Sequence, residues 1–341
     1  MELQPIIRKI IAQESLSADE MRRAMHTIMT GQATPAQIGG FLVGLRMRGE
    51  TVTEISAAAQ VMRELSTKVS VNNEYLVDTC GTGGDSSGTF NISTASAFVA
   101  AAAGARVAKH GNRSISSKSG SADVLEVAGV NLAITPDQVA HCIEQIGVGF
   151  LFAQRLHSAM GHASAPRREL GIRTIFNLLG PMANPANAPN QVLGVFAKEW
   201  VRPMAEVLQT LGSRHVMVVH AADGLDEISI ATPTFVAELK DGAIREYTIQ
   251  PEDFGLAHSS LETLRVSDAA SSYALIQRVF AGEQGAARDI VCLNAGAAIY
   301  VAGLADSHAQ GIAKAQQAID SGAAAQRLHD LVALTNRFKT A

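Results

Sequence analysis

Hydrophobic positions follow one rhythm up to about residue 70 and another after it. In the first part apolar residues recur three and four apart, as on one face of a helix, with Ile38, Phe41, Leu42 and Leu45 the plainest run. Three capping boxes mark helix starts there: Ser17 to Glu20, Thr34 to Gln37 with Pro35 in the first helical position, and Thr51 to Glu54. Gly39, Gly40 and Gly44 interrupt the second of these helices and fit either a tight crossing within the chain or a partner helix.

From about residue 75 short apolar runs alternate with helical patterns. Strands are expected at Tyr75 to Thr79, Arg106 to His110, Val127 to Ala133, Val148 to Phe152, Gln191 to Phe196 and Arg214 to His220. An alanine-rich helix follows the first strand, with Ser93 or Thr94 placed to cap it and Gly104 to end it. Thr135 opens another helix that runs to about Ile146. Residues 230–266 read as an antiparallel insertion, Phe235 to Leu239 and Ile244 to Ile249 about a turn at Asp241-Gly242. Ala286 to Leu304 is apolar around much of its circumference and reads as a buried helix. Amphipathic helices at Ser307 to Ile319 and Ala323 to Leu334 close the chain. The expected fold class is α/β. A small helical domain, residues 1–70, is completed by helices from about 158–185. A larger domain, residues 71–341, holds a mainly parallel sheet covered by helices.

Composition narrows the function classes. Hydrophobic residues make up 47% of 341, enough for a sizeable core, and the net charge of −4 gives no basic field for nucleic acid. No apolar run has the ~18 residues of a membrane span, and the start MELQPIIRKII lacks the apolar core of a secretory signal. Cys80, Cys142 and Cys292 are isolated thiols without metal spacing, which suits a reducing, cytoplasmic setting.

The chemistry gathers between Tyr75 and Asp123. The first strand ends in a loop with Gly81, Gly83, Gly84 and Gly88, and a helix follows. Glycines at a strand-to-helix turn let backbone N–H groups approach an anion, and the helix start adds unpaired donors and the positive end of a dipole. Lys109 and Arg113 arrive from the next strand end with positive charge. The expected ligand is a phosphate compound, although a tight turn that binds nothing could carry the same glycines. Gly83 and Gly88 have Walker A spacing, but Thr89 and Phe90 stand where Lys and Ser/Thr belong; Ser86 occupies the third glycine position of a Rossmann fingerprint. Neither ATP nor NAD is expected.

Two later stretches add candidates. His157 and His162 are five apart, off the spacing of a helical metal pair; Arg173 lies in the same segment, and Arg167 and Arg168 could grip a planar carboxylate or simply form a solvated helix face. The run after the sixth strand, Ala221 to Glu227, ends in two adjacent carboxylates, Asp226 and Glu227, which could hold Mg²⁺ against a diphosphate or belong to a solvated Asp-Gly turn.

GTGGD at Gly81 to Asp85, NIST at Asn91 to Thr94, KHGNR at Lys109 to Arg113 and SSKSGSAD at Ser116 to Asp123 together resemble the anthranilate phosphoribosyltransferase family, and the resemblance extends over almost the whole chain. Ser86 and Ser114 depart from the Gly and Ala common in that family, and both are small. The resemblance implies a phosphoribosyltransferase fold shared with nucleoside phosphorylases. It implies transfer of phosphoribosyl from 5-phosphoribosyl 1-diphosphate to the amine of anthranilate, in tryptophan biosynthesis. The diphosphate substrate would meet Gly81, Gly84, Asp85, Thr89, Asn91, Ile92, Ser93, Thr94, Lys109, His110, Gly111, Asn112, Arg113, Ser114, Ile115, Ser116, Ser117 and Ser121. Anthranilate would meet Gly81, Asn112 and Arg167, and Mg²⁺ would be held through Ser93, Asp226 and Glu227. No single acid or base is assigned, because an aryl amine is already a nucleophile. The resemblance also implies a homodimer through the helical region. The rival readings are a pyrimidine nucleoside phosphorylase and a non-enzymatic relative that binds nucleic acid, which would need a basic groove.

Overall fold

A computed structural model describes residues 3–84, 87–114 and 119–338. The N-terminal helices are α1 (Gln4–Ile11), α2 (Ala18–Met29), α3 (Pro35–Arg48) and α4 (Val52–Leu65). Each of the three anticipated capping boxes starts one of them. Gly44 of α3 sits where a Cβ would lie 2.9 Å from the Ile10 side chain, so this glycine serves a close crossing with α1. Glu54 is fully buried and takes N–H bonds from Leu16 and Thr51 and an ion pair from Arg48, which fastens three segments to one carboxylate.

The central sheet consists of β1 (Leu76–Thr79), β2 (Arg106–Gly111), β3 (Val148–Phe152), β4 (Asn190–Gly194), β5 (His215–Ala221), β6 (Thr234–Lys240) and β7 (Ala243–Ile249). Its order is β3-β2-β1-β4-β5-β6-β7. The first five strands in that order are parallel, and β6 and β7 continue the same sheet antiparallel. The anticipated antiparallel segment is therefore an extension of the sheet and not a separate insertion. Strand order reverses between β1 and β4, and ligands of such sheets bind at the carboxyl ends beside that reversal.

Helices on the chain between and after the strands are α5 (Ile92–Ala102), α6 (Ser121–Val127), α7 (Pro136–Ile146), α8 (Ala153–Leu156), α9 (Gly161–Leu170), α10 (Ile175–Met182), α11 (Val201–Thr210), α12 (Ala269–Phe280), α13 (Ala286–Val301), α14 (His308–Asp320) and α15 (Ala323–Arg337). One face of the sheet packs on α5, α13 and their neighbours. On the other side α1–α4, α9 and α10 share a core that runs on through α11 to Val216 and Val218 of β5, so the helical layer is seated directly on the sheet.

Two expectations fail. No strand forms at Val127 to Ala133: α6 ends there, and the alternating Val130, Leu132 and Ile134 bury their side chains in loop. Asn131 bonds Thr335 of α15 instead of a neighbouring strand, so the alternation arises without sheet pairing. Nor do Ser93 or Thr94 cap α5. Its N-cap is Asn91, which makes no side-chain cap bond. The Asn91 side chain instead accepts from the Ser119 and Ser272 hydroxyls at 2.9 and 2.7 Å, which ties the helix start to the loop before α6 and to α12.

Candidate active site

The glycine loop after β1 is pinned from β4. Thr82 donates its N–H to the Gly194 carbonyl at 2.9 Å, and its hydroxyl accepts the Phe196 N–H at 3.0 Å. Gly83, Gly84 and Gly88 have positive φ, a backbone that other residues adopt at a cost. The acidic loop after β5 crosses this loop. Asp226 Oδ2 accepts the Gly83 N–H at 2.8 Å, and a Cβ on Gly81 would lie 2.7 Å from the same oxygen. Gly194 is tighter still, since a Cβ there would fall 1.5 Å from the Asp226 carbonyl oxygen. The loop therefore already grips an anion, a carboxylate of its own chain.

Lys109 does not project freely. It is 3% exposed and donates to the Thr79 carbonyl at 2.6 Å and to Ser93 Oγ at 3.2 Å, so its charge stands beneath the first turn of α5. Thr94 and Ile92 are buried in that turn, and Thr89 bridges to Arg265 just before it. Arg113 departs from the expectation of a free cation. Its guanidinium pairs with Glu126 in two places and with Asp123, next to the Phe152 ring. The surrounding turn is built on Asp123, whose carboxylate accepts the N–H groups of Ser114 and Gly120, while the Asn112 carbonyl accepts from Ser121. Gly111 leaves room beside Ser121 and Phe150 that a Cβ would fill. Asp85, Ile115, Ser116 and Ser117 lie outside the described residues.

Ser93, Asp226 and Glu227 offer one hydroxyl and two carboxylates, hard oxygen donors of the kind Mg²⁺ takes. Ser93 Oγ accepts from Lys109 at the start of α5, and Asp226 reaches the Gly83 N–H in the loop after β1, so both stand at the carboxyl end of the sheet. The donor set fits the metal. A second cluster does not: Asp78, Cys80 and His110 bring ligand atoms within 4.8 Å of one another. Both Asp78 oxygens are already engaged, by the His110 N–H at 3.0 Å and Asn184 Nδ2 at 2.7 Å, and burial pushes the Cys80 thiol up.

Sequence reasoning missed what stands beside that cluster. His110 and His157 meet with Nε2 atoms 3.2 Å apart, and both are buried. No local pattern links residues on β2 and after α8; only the fold does. Arg167 lies on α9, half-buried, with its guanidinium 5.0 Å from the Phe176 ring centroid. Among the described residues no carboxylate pairs with it, and burial lowers its proton affinity. Arg168 is exposed. The helical layer thus presents a guanidinium without a carboxylate partner among the described residues, and the sheet presents the phosphate-type loop.

A helical bundle set on a mainly parallel sheet, with an anion loop at the strand reversal, is the architecture of the glycosyl transferase family. Residues 4–66 match that family's helical bundle domain and residues 73–325 its a/b domain. Anthranilate phosphoribosyltransferase of Thioalkalivibrio sulfidiphilus is 64% identical over 335 residues, 98% of this chain and 99% of that one. The crystal structure of the Thermus thermophilus enzyme is similar with a TM-score of 0.92 and 44% identity, covering 97% of this chain and 99% of that one. The enzyme from Saccharomyces cerevisiae, solved in complex with PRPP and Mg, is similar with a TM-score of 0.89 and 26% identity over 98% of each chain. The chain belongs to the anthranilate phosphoribosyltransferase family. These relatives carry the transferase name and give no support to the phosphorylase or nucleic-acid reading.

The buried imidazoles make a pH prediction. Burial pushes His110 down to about 3, with His157 beside it adding to the effect, and pushes His157 and His308 down to about 4, from the ordinary 6.5. Between those values and 6.5 the unfolded chain binds protons that the folded chain does not, so their contribution is fully present above 6.5 and is lost as pH falls. Asp78 opposes them: burial pushes it up to about 6, so between its ordinary 3.8 and 6 the folded state holds one proton more. Three histidines outweigh one carboxyl, and the thermal midpoint should be lower at pH 5 than at pH 7.5. A higher midpoint at pH 5 would contradict burial of these rings in neutral form.

Proposed function

We infer that this protein transfers the phosphoribosyl group of 5-phosphoribosyl 1-diphosphate to the amine of anthranilate, giving N-(5-phosphoribosyl)anthranilate and diphosphate in tryptophan biosynthesis. What supports this reading is the packing of the acidic loop after β5 on the glycine loop after β1, together with Arg167 on the helical layer, a half-buried guanidinium without a carboxylate partner among the described residues. The guanidinium suits a planar carboxylate and the two loops a diphosphate.

The bond from ribose C1 to the diphosphate oxygen breaks as the anthranilate nitrogen bonds to C1, and the amine proton leaves late. The transition state resembles an oxocarbenium ion. Mg²⁺, when held by Ser93, Asp226 and Glu227, supplies charge neutralisation on the leaving diphosphate. The glycine-loop amides and the start of α5 bind phosphate groups, and the buried Lys109 adds its positive charge from beneath that helix start. The Asn112 to Ser121 turn, ordered by Asp123, adds donors at the end of β2. Asn112 and Arg167 orient anthranilate so that its amine meets C1, a placement effect that can lower the barrier substantially.

A homodimer through the helical region is part of the same reading. Gly39 leaves open space where a Cβ would stand, and Ile11 and Met47 nearby are 71% and 79% exposed. A monomer mass by sedimentation equilibrium would overturn it. No described helix is long and apolar enough to cross a membrane, and the free thiols of Cys80, Cys142 and Cys292 support a cytoplasmic setting.

Anthranilate fluorescence tests the activity directly. It should fall only when phosphoribosyl diphosphate and Mg²⁺ are both present, and loss of signal without either would refute the reaction. In the same assay Arg167→Ala should raise KM for anthranilate about ten- to a hundred-fold, the size of a charge-assisted hydrogen bond, with a much smaller change for phosphoribosyl diphosphate. Lys should restore only part of this, because a point charge lacks the planar fork. Exposed Arg168→Ala should be near normal, and a larger defect there than at Arg167 would move the carboxylate site by one residue.

A further inference from the structure

We infer that Arg173 is a positioning residue that latches the glycine loop to the helical layer and orders it for the diphosphate substrate. The inference rests on the transferase reading above. Arg173 lies between α9 and α10, six positions after Arg167 in sequence, and its side chain is exposed. Its Nη2 donates to the Gly84 carbonyl. Its guanidinium carbon stands 4.3 Å from the centroid of the Phe196 ring. Phe196 in turn donates its N–H to Thr82 Oγ1 at 3.0 Å. The two contacts of Arg173 therefore close on one loop, directly at Gly84 and through Phe196 at Thr82.

The chemistry asks for such a group. A loop that turns N–H groups toward an anion turns carbonyls away from it, and each carbonyl then needs a donor. Arg173 supplies the donor for Gly84. Gly84 has φ +79°, and a Cβ there would come 3.3 Å from Nη2, so the approach depends on glycine. Among the described residues no carboxylate neutralises Arg173, and a guanidinium has five N–H donors. Its charge and remaining donors stand beside the loop that takes the diphosphate. Because Arg167 and Arg173 belong to one short stretch of the helical layer, the latch also sets the acceptor end in register with the donor end.

The test is calorimetric titration of the full-length protein with phosphoribosyl diphosphate in Mg²⁺, beside steady-state kinetics. Arg173→Ala should weaken phosphoribosyl diphosphate binding and raise its KM about ten-fold, leave KM for anthranilate within about two-fold, and melt close to wild type, since an exposed side chain contributes little to the core. Arg173→Lys should recover part of the loss. Phe196→Leu, which removes only the ring beneath the guanidinium, should shift the same KM by less. Ile172→Ala, an exposed neighbour, should change neither KM. Unchanged diphosphate affinity in Arg173→Ala overturns the latch, as does an equal rise in both KM values together with a lowered melting midpoint, which would mark a merely structural role. Wild-type protein that consumes no anthranilate overturns the transferase reading itself, whereas wild-type turnover with an unaffected Arg173→Ala overturns the latch alone.

Discussion

The loop leaving β5 lies so close to the end of β4 that only glycine fits beneath it. A Cβ on Gly194 would overlap the Asp226 carbonyl, and one on Gly81 would meet the Asp226 carboxylate. This contact makes one site of three loops. It sets the acidic pair over the glycine loop, and it lets the Gly83 N–H take a carboxylate oxygen at 2.8 Å. The acidic loop and the glycine loop, from opposite sides of the strand reversal, consequently share a single base.

The second half of the site depends on how the helical layer is seated. Its core is continuous with the face of β4 and β5, and Arg63 of α4 donates to the carbonyl of Met182 at the end of α10 and to that of Leu211 just past α11, placing a half-buried cation at two helix C-termini. Asn184, just past α10, bonds both Asp78 and the Ala108 carbonyl. These contacts tie the segment after α10 to β1 and β2, and Arg173 before α10 reaches the loop after β1. The seating of the helical layer on the sheet is then a property of the packing, and a two-substrate reaction without an assigned base needs fixed placement more than it needs a reactive side chain.

Local chemistry made much of this legible in the sequence. Capping boxes located the N-terminal helices, since each is satisfied within four residues, and the short apolar runs at β1, β3 and β5 had the length and β-branched content of buried strands. The misreadings have a common origin in partners distant along the chain. Val130, Leu132 and Ile134 alternate like a strand because α15 supplies what a neighbouring strand would. Asn91 faces Ser119 and Ser272 in place of its own helix, and the charge of Arg113 is met by Glu126 and Asp123. The His110–His157 contact and the hold of Arg173 on Gly84 join segments 47 and 89 residues apart, beyond any local pattern. Helix α12 also went unread, its Asp268 cap lying in a serine-rich stretch that resembles loop.

The claim that the site rests on the close approach of the β5 loop is tested most directly at Gly194, which touches no substrate in this account. A methyl group there must push the Asp226 backbone aside. Overpacking of this kind costs about 1–3 kcal/mol, roughly ten- to a hundred-fold in an equilibrium. Titration calorimetry of Gly194→Ala with phosphoribosyl diphosphate in Mg²⁺ should show affinity reduced by about that factor in a protein that still melts cooperatively. Wild-type affinity in a folded Gly194→Ala would contradict the account, because the acidic pair and the glycine loop would then not need to be packed as one unit.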